Sequence, residues 1–362
     1  MGSLILIILH HIMATIPQLF DSAVKQFPSN ILFWEKKNAA YEGITYREVS
    51  GLVNNLAAGL LKLGIEKEEK VAILSEGRSE WLVAELASLI AGAIVVPVSI
   101  KLLESAELSF RLSHSDTRYI FVSNSQKDKI RNIISTLPNV KHVILFGASG
   151  KLKEKELHFE ELLAEGKNNF ESFSNELNSR RESVSDNSLA SISYTSGTTA
   201  DPKGIMLSHR NYTANVEQAN SLFKVPEWYT TLLILPWDHA FAHTVGLYTM
   251  IKNGASIAAV EQGNSALENL KNIPKNIIEV KPSFLLSVPA LARNFKKSIE
   301  TGVASKGRGA TRLFNRALNL AYKYYGDTFD NTSRKNLVLR SRVLFFDFFV
   351  FKKIRKRFGG NM

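Results

Sequence analysis

The sequence contains no cysteine. Disulfides, thiolate metal sites and a cysteine nucleophile are therefore excluded, and the composition suits a reducing, cytoplasmic setting. Long apolar runs are also missing. The N-terminal run from Leu4 to Leu9 is far short of the ~20 residues that a membrane-spanning helix needs. It lacks the positive flank and small-residue cleavage site of a secretory signal. Residues 1–14 therefore read as a leader outside the fold, with Met13 as an alternative start. Neither an internal repeat nor a low-complexity tract is present.

What is present is an ordinary globular composition. The chain has 362 residues, 45% of them hydrophobic and 22% charged, enough for one large domain or two ordinary ones. Lys and Arg outnumber Asp and Glu by 45 to 34, a formal charge of +11. That excess is local. Residues 331–362 hold nine Lys or Arg and one Asp, a net +8, and the remainder is close to balanced. A nucleic-acid-binding protein with a basic surface throughout is therefore excluded, and the charge question narrows to one basic tail.

Apolar runs bounded by turn residues predict buried strands at 71–75, 95–98, 119–123 and 142–146. Helical patterns lie between them at 46–63, 79–91, 105–113 and 126–137. The alternation implies an α/β fold with layered, parallel-rich sheets covered by helices. Residues 147–186 break the rhythm as a polar surface excursion with a short helical piece at 159–163. Strands are expected again at 189–196, 231–235, 255–260 and 283–288. Helices are expected at 208–223, with Ser208 as N-cap, and at 310–325 and 343–357. Two α/β subdomains follow, 15–175 and 176–362, the second cut short before completion.

One stretch departs from core-building chemistry: SYTSGTTADPKGIMLSH, residues 193–209. Small hydroxyls, Gly197 and a single Lys203 follow directly on an apolar-alternating strand. Flexible backbone is costly to order, and an anion held by amides, hydroxyls and one cation offsets that cost. A polyphosphate fits this chemistry. The stretch is neither G-x-x-x-x-G-K-[ST] nor G-x-G-x-x-G.

Thr195-Ser196-Gly197-Thr198-Thr199-Ala200-Asp201-Pro202-Lys203-Gly204 closely resembles the phosphate-binding signature of the adenylate-forming (AMP-binding) superfamily, [ST]-S-G-[ST]-[TS]-G-x-P-K-G. Ala200 stands where that family has Gly; the loop survives the change if this residue keeps a negative φ. The segment LPWDHAFAHTVGLY, 235–248, resembles the family's second core motif. Its Trp-Asp-His form is most similar to the long-chain fatty acyl-CoA synthetase branch. The resemblance runs from about Thr15 to the end of the chain. It implies the N-terminal portion of an acyl-CoA synthetase-like fold, an acid–thiol ligase of lipid metabolism, and use of ATP, Mg²⁺ and coenzyme A. Thr195, Ser196, Gly197, Thr198, Thr199, Lys203 and Gly204 would then hold phosphates, His239 would sit by the acyl carboxylate, and Trp237 and Phe241 would line the pocket.

The spacing of His239 and His243 also matches one helical face, but without the Glu of a metalloprotease motif or a third ligand it does not indicate zinc. Trp81, beside Glu76 and Arg78, reads as core next to a helix start near Ser79. The tail FFDFFVFKKIRKRFGG pairs six Phe with five cations. Its preferred reading is an amphipathic helix packed in the parent fold; contact with anionic lipid or nucleic acid is the alternative. The family's Y-G-x-[ST]-E motif, ribose-binding Asp and adenylation lysine have no counterpart here. The resemblance therefore implies a fatty-acid ligase fragment that is inactive alone, cytoplasmic or membrane-associated, with the remainder as a candidate separate polypeptide. The rivals are a non-catalytic nucleotide- or acyl-binding relic and an adenylating enzyme for another carboxylic acid.

Overall fold

The computed structural model describes residues 14–147, 150–195, 202–263, 266–326 and 337–361. In chain order the first elements are α1 (Ile16–Gln26), β1 (Ile31–Lys37), β2 (Ala40–Thr45), α2 (Tyr46–Lys62), β3 (Lys70–Leu74), α3 (Ser79–Ile90) and β4 (Ile94–Pro97). Next come α4 (Ser105–His114), β5 (Thr117–Ser123), α5 (Lys127–Arg131), β6 (His142–Phe146), β7 (Glu156–His158), α6 (Phe159–Ser183), β8 (Leu189–Thr195) and β9 (Lys203–Ser208). Then follow α7 (His209–Leu222), β10 (Thr230–Leu233), a π-helical turn Ala242–Tyr248, α8 (Thr249–Lys252) and β11 (Ser256–Ala259). The chain continues with α9 (Ala266–Val280), α10 (Pro289–Ala304), α11 (Arg308–Tyr325), α12 (Leu337–Phe346), a second π-helical turn Asp347–Phe351 and α13 (Lys352–Lys356).

The residues group into two compact units, one of 1–229 with 235–259 and one of 230–234 with 260–362. A subdomain boundary at 175 would fall inside α6. In the first unit seven strands form one sheet in the order β7-β6-β5-β3-β4-β8-β9. All neighbours are parallel except β8 and β9, which are antiparallel. A separate sheet pairs β1 antiparallel with β2 and parallel with β11. The central strands β3, β4, β5 and β6 are apolar and buried over most of their length, as expected for a parallel sheet covered by helices. Val71, Ala72, Ile73, Val95, Ile120, Phe121 and Ile144 are fully buried.

Helix starts follow from local chemistry. Thr15, Thr45 and Ser208 each accept the backbone N–H three residues on, while Gln18, Glu48 and Asn211 reach back to the cap amide. The predicted N-cap at Ser208 is therefore observed. Helix α6 corrects the expected short piece at 159–163: it runs 25 residues. Its polar sequence hides the length, since only Phe159, Leu162, Gly166 and Leu177 are buried. Gly166 lets α6 touch α2 backbone to backbone; a Cβ there would lie 1.8 Å from the Asn55 carbonyl oxygen.

In the second unit the strand expected at 283–288 reduces to a single parallel bridge between Thr231 and Phe284. The amide of Ser283 donates to the Thr230 carbonyl at 2.8 Å, and no neighbouring ladder extends the pairing among the described residues. The helix expected at 310–325 is α11, which buries Phe314 and Ala317, while the one expected at 343–357 begins earlier, at Leu337, and is interrupted by the second π-helical turn. No helix of the described residues is long and apolar enough to cross a membrane.

Candidate functional site

The hydroxyl-rich segment is anchored by β8 and β9. Their register pairs Tyr194 with Gly204 and Thr195 with Lys203. The segment thus leaves and re-enters the sheet at one point, between two candidate phosphate ligands. Ser196, Gly197, Thr198 and Thr199 lie outside the described residues, as does Ala200. Thr195 and Lys203 are exposed, and Lys203 has no ion-pair partner among the described residues. A Cβ on Gly204 would approach Ile192 at 3.0 Å and the Tyr194 ring at 3.3 Å. This glycine therefore lets β9 close on β8. A helix was expected directly after the segment; the six residues of β9 intervene. At ~3.3 Å per strand residue they carry the α7 N-terminus some 20 Å from Lys203. The helix dipole of α7 therefore does not act at Lys203.

Strand β8 is fixed from both faces. On one face Ile192 and Tyr194 pack on the apolar cluster of Leu108, Leu112 and Val122. The Tyr194 hydroxyl lies 2.8 Å from His114 Nδ1. On the other face Ser191 Oγ lies 2.7 Å from the Tyr212 hydroxyl, and burial pushes the Tyr212 phenol up to about 12. The Tyr212 ring stacks on His243 at 5.8 Å, and this leads to a buried polar cluster.

Glu85 and His243 are each 1% exposed in their side chains, with Nδ1 of His243 2.9 Å from Oε1 of Glu85. The Tyr248 hydroxyl donates to the same Glu85 oxygen at 2.7 Å. His243 Nε2 lies 2.7 Å from the carbonyl of Trp237. A carbonyl only accepts, so Nε2 carries a proton, and a carboxylate faces Nδ1. Burial acts to lower the His243 pKa, but the Glu85 carboxylate and the Trp237 carbonyl outweigh it and hold the ring above the ordinary imidazole value. When protonated, the ring can donate from both nitrogens, to Glu85 and to the Trp237 carbonyl.

This pair fixes the backbone of the 235–248 segment. Trp237 is 4% exposed. Its indole makes edge contacts with Trp81 at 5.5 Å and Phe33 at 5.8 Å and presses on Gly77, where a Cβ would lie 2.1 Å from its Nε1. Trp237, expected to line the pocket, is packed in the core here. Phe241, the second wall residue, is 51% exposed. The His239 side chain is 66% exposed, 3.9 Å from Asp238. His239 and His243 therefore do not share a ligand position: one faces solvent and the other is sealed with both nitrogens engaged. Among the described residues no group of three or more His, Asp or Glu is placed to hold a metal.

The cluster was not among the predicted site residues. Its signal was the lone carboxylate Glu85 inside WLVAELASLI, since a charge on a helix buried all round needs a partner. The π-helical turn that carries His243 is a feature often found at functional sites. One further histidine is buried. His209, at the start of α7, accepts the Ile16 amide at Nδ1 over 3.2 Å, and burial pushes its pKa down to about 4.

A family model described as AMP-binding enzyme matches residues 20–331. Fatty acyl-CoA synthetase B of Dictyostelium discoideum is 27% identical over 363 residues, covering 95% of this chain and 50% of that protein. The human long-chain-fatty-acid–CoA ligase ACSBG2 is 27% identical, covering 87% and 46% respectively. Among solved structures, the anthranilate CoA ligase AuaEII in complex with anthranoyl-AMP superposes with a TM-score of 0.63 at 20% identity, over 76% of this chain and 49% of that one. A long-chain-fatty-acid–CoA ligase from Archaeoglobus fulgidus gives 0.62 at 19% identity, over 75% and 51%. The structural likenesses show a shared fold. The chain spans about half the length of the curated relatives it matches.

Proposed function

Because this chain belongs to the AMP-binding enzyme family, we propose that it carries the N-terminal part of an AMP-forming long-chain fatty acid–CoA ligase. In that reaction a fatty carboxylate attacks the α-phosphate of ATP, pyrophosphate leaves, and the coenzyme A thiol then attacks the acyl-adenylate. The observation that supports the reading is the β8–β9 register, which sets Thr195 and exposed Lys203 opposite each other where the hydroxyl-rich segment begins and ends. Charge that builds on the departing phosphates calls for donors fixed in advance. Thr195, Ser196, Gly197, Thr198, Thr199 and Gly204 supply hydroxyls and amides there, and Lys203 supplies the cation. His239, exposed on the neighbouring segment, is the group we assign to the acyl carboxylate. Phe241 is exposed beside it and lines the acyl path, while Trp237 acts from the core by holding the segment's backbone. The Mg²⁺ of the resemblance has no ligand set among the described residues, and no step is assigned to it.

The relatives named above as long-chain ligases favour a fatty acid over another carboxylic acid. The residues that the resemblance assigns to ribose, metal and the adenylation lysine are absent from these 362 residues. The isolated polypeptide therefore holds ATP without turning it over. Isothermal titration with ATP is expected to show binding that Lys203→Ala weakens at least ~10-fold, the loss of one charge-assisted contact. Equal binding by both proteins refutes the phosphate site. ATP–pyrophosphate exchange with a fatty acid at the rate of a full-length ligase refutes the assignment as an inactive part.

A further inference from the structure

Helices α11 and α12 enclose an open groove of about 880 Å³. Arg312, Arg316 and Lys323 line it from α11, and Arg342 from α12. The first three recur at helical spacing, so they form one stripe along α11. Apolar surface interleaves with the cations: Leu313 and Leu320 on one side, Phe345 and Phe346 on the other. Neither helix contains a single Asp or Glu. Asp347, which directly follows α12, is already neutralised by Arg355, which donates to both of its oxygens at 2.6 Å; Asp327 and Asp330, between the two helices, lie outside the described residues. No carboxylate therefore offsets the four groove cations from within these elements.

The aromatic wall does not end at the groove. Phe345 packs on Phe349 at 4.7 Å and Phe349 on Phe348 at 5.1 Å. Phe345, Phe348 and Phe349 are 57%, 60% and 48% exposed, and Leu344 beside them is 59% exposed. The Lys352 ammonium sits 5.0 Å above the Phe348 ring. Among the described residues much of the tail's apolar face is exposed. A contiguous aromatic patch rimmed by cations that have no ion-pair partner among the described residues fits a partner that is apolar inside and anionic at its surface.

We propose that this face of the second unit docks on the surface of an anionic phospholipid membrane. Arg312, Arg316, Lys323 and Arg342 meet lipid phosphates at the headgroup level, and Leu344, Phe345, Phe348 and Phe349 enter the acyl boundary. The aliphatic residues in the patch favour lipid over nucleic acid, because single-stranded bases stack on aromatic rings and gain little from leucine.

Sedimentation of the full chain with vesicles tests this. Binding is expected to vesicles of phosphatidylcholine mixed with phosphatidylserine, to fall steeply with salt, and to be weak to phosphatidylcholine alone. The double change Arg312→Gln/Arg316→Gln lowers partitioning ~30-fold, from about a fivefold loss per surface cation. Phe348→Ala/Phe349→Ala lowers it at least ~10-fold. Lys37→Gln/Lys167→Gln, which removes the same charge from the first unit, leaves it within about twofold. Unaltered circular dichroism of each variant establishes that the fold is retained. No binding to anionic vesicles, an equal loss in the Lys37/Lys167 variant, or binding to a single-stranded oligonucleotide but not to vesicles each overturns the proposal.

Discussion

Two buried histidines should bend the stability of the first unit with pH in opposite directions. His209 has its pKa pushed down to about 4. Above the ordinary value of 6.5 both folded and unfolded rings are neutral and its full contribution is present. As pH falls from 6.5 toward 4, the unfolded ring binds a proton that the folded ring refuses, so stability is lost. The window of about 2.5 units at 1.36 kcal/mol per unit amounts to about 3 kcal/mol. His243 works the other way, because its pKa is raised in the fold. Its contribution is full below 6.5 and is lost as pH rises through the folded value, with a limiting slope of about −1.4 kcal/mol per unit. Urea unfolding followed by tryptophan fluorescence, stepped in pH, should therefore show a maximum near 6.5. Trp81 reports directly, since His243 meets its ring edge-on at 5.2 Å. Glu85→Gln should flatten the alkaline limb, because it removes the charge that holds the proton on His243; it also costs one of two hydrogen bonds, since Nδ1 and the Tyr248 hydroxyl meet the same oxygen. His243→Ala strands the Glu85 carboxylate and should cost about 3–5 kcal/mol. His209→Asn, which keeps an acceptor for the Ile16 amide, should flatten the acid limb. An alkaline limb that persists in Glu85→Gln, or a cost below about 1 kcal/mol for His243→Ala, would refute the buried ion pair.

Other consequences are simpler to measure. Gly166→Ala should destabilise by about 3 kcal/mol or more in urea unfolding, since its Cβ has nowhere to go but the α2 backbone. Thr45→Ala removes one capping box and should cost about 1 kcal/mol by the same assay. Gly77→Ala displaces the Trp237 indole, and its tryptophan emission should shift to the red relative to the parent; an unchanged spectrum would show that Trp237 is held from elsewhere.

Much of the parallel sheet was legible because its strands are short apolar runs closed by glycine or polar turns. β6 was placed to the residue, and β3, β4, α2 and α3 to within one or two. What escaped was structure whose stabilising contacts are remote. β9 reads as loop because Ile205 and Met206 are exposed, so KGIMLS shows no clean alternation. α6 reads as coil because its grip on α2 is a glycine contact, invisible to a hydrophobic pattern. The 283–288 run has strand chemistry but finds one bridging partner only. Within the site, Thr195 and Lys203 were legible as a local motif. The Glu85–His243 pair was not, because 158 residues separate its members, and Trp237 could not be told from a pocket residue without seeing Gly77 beneath it.

The pairing of Phe33 with Ile257 and of Trp34 with Ala258 has a consequence for biosynthesis. The partner strand follows 224 residues later. At ribosomal speeds of about 5–20 residues per second, the nascent chain waits roughly 11–45 s before that edge can close. During the wait Leu32 and Phe33, both sealed in the finished protein, lack the cover that the later strand brings. Until its distant mate emerges, this bare strand edge is a template for pairing with another chain.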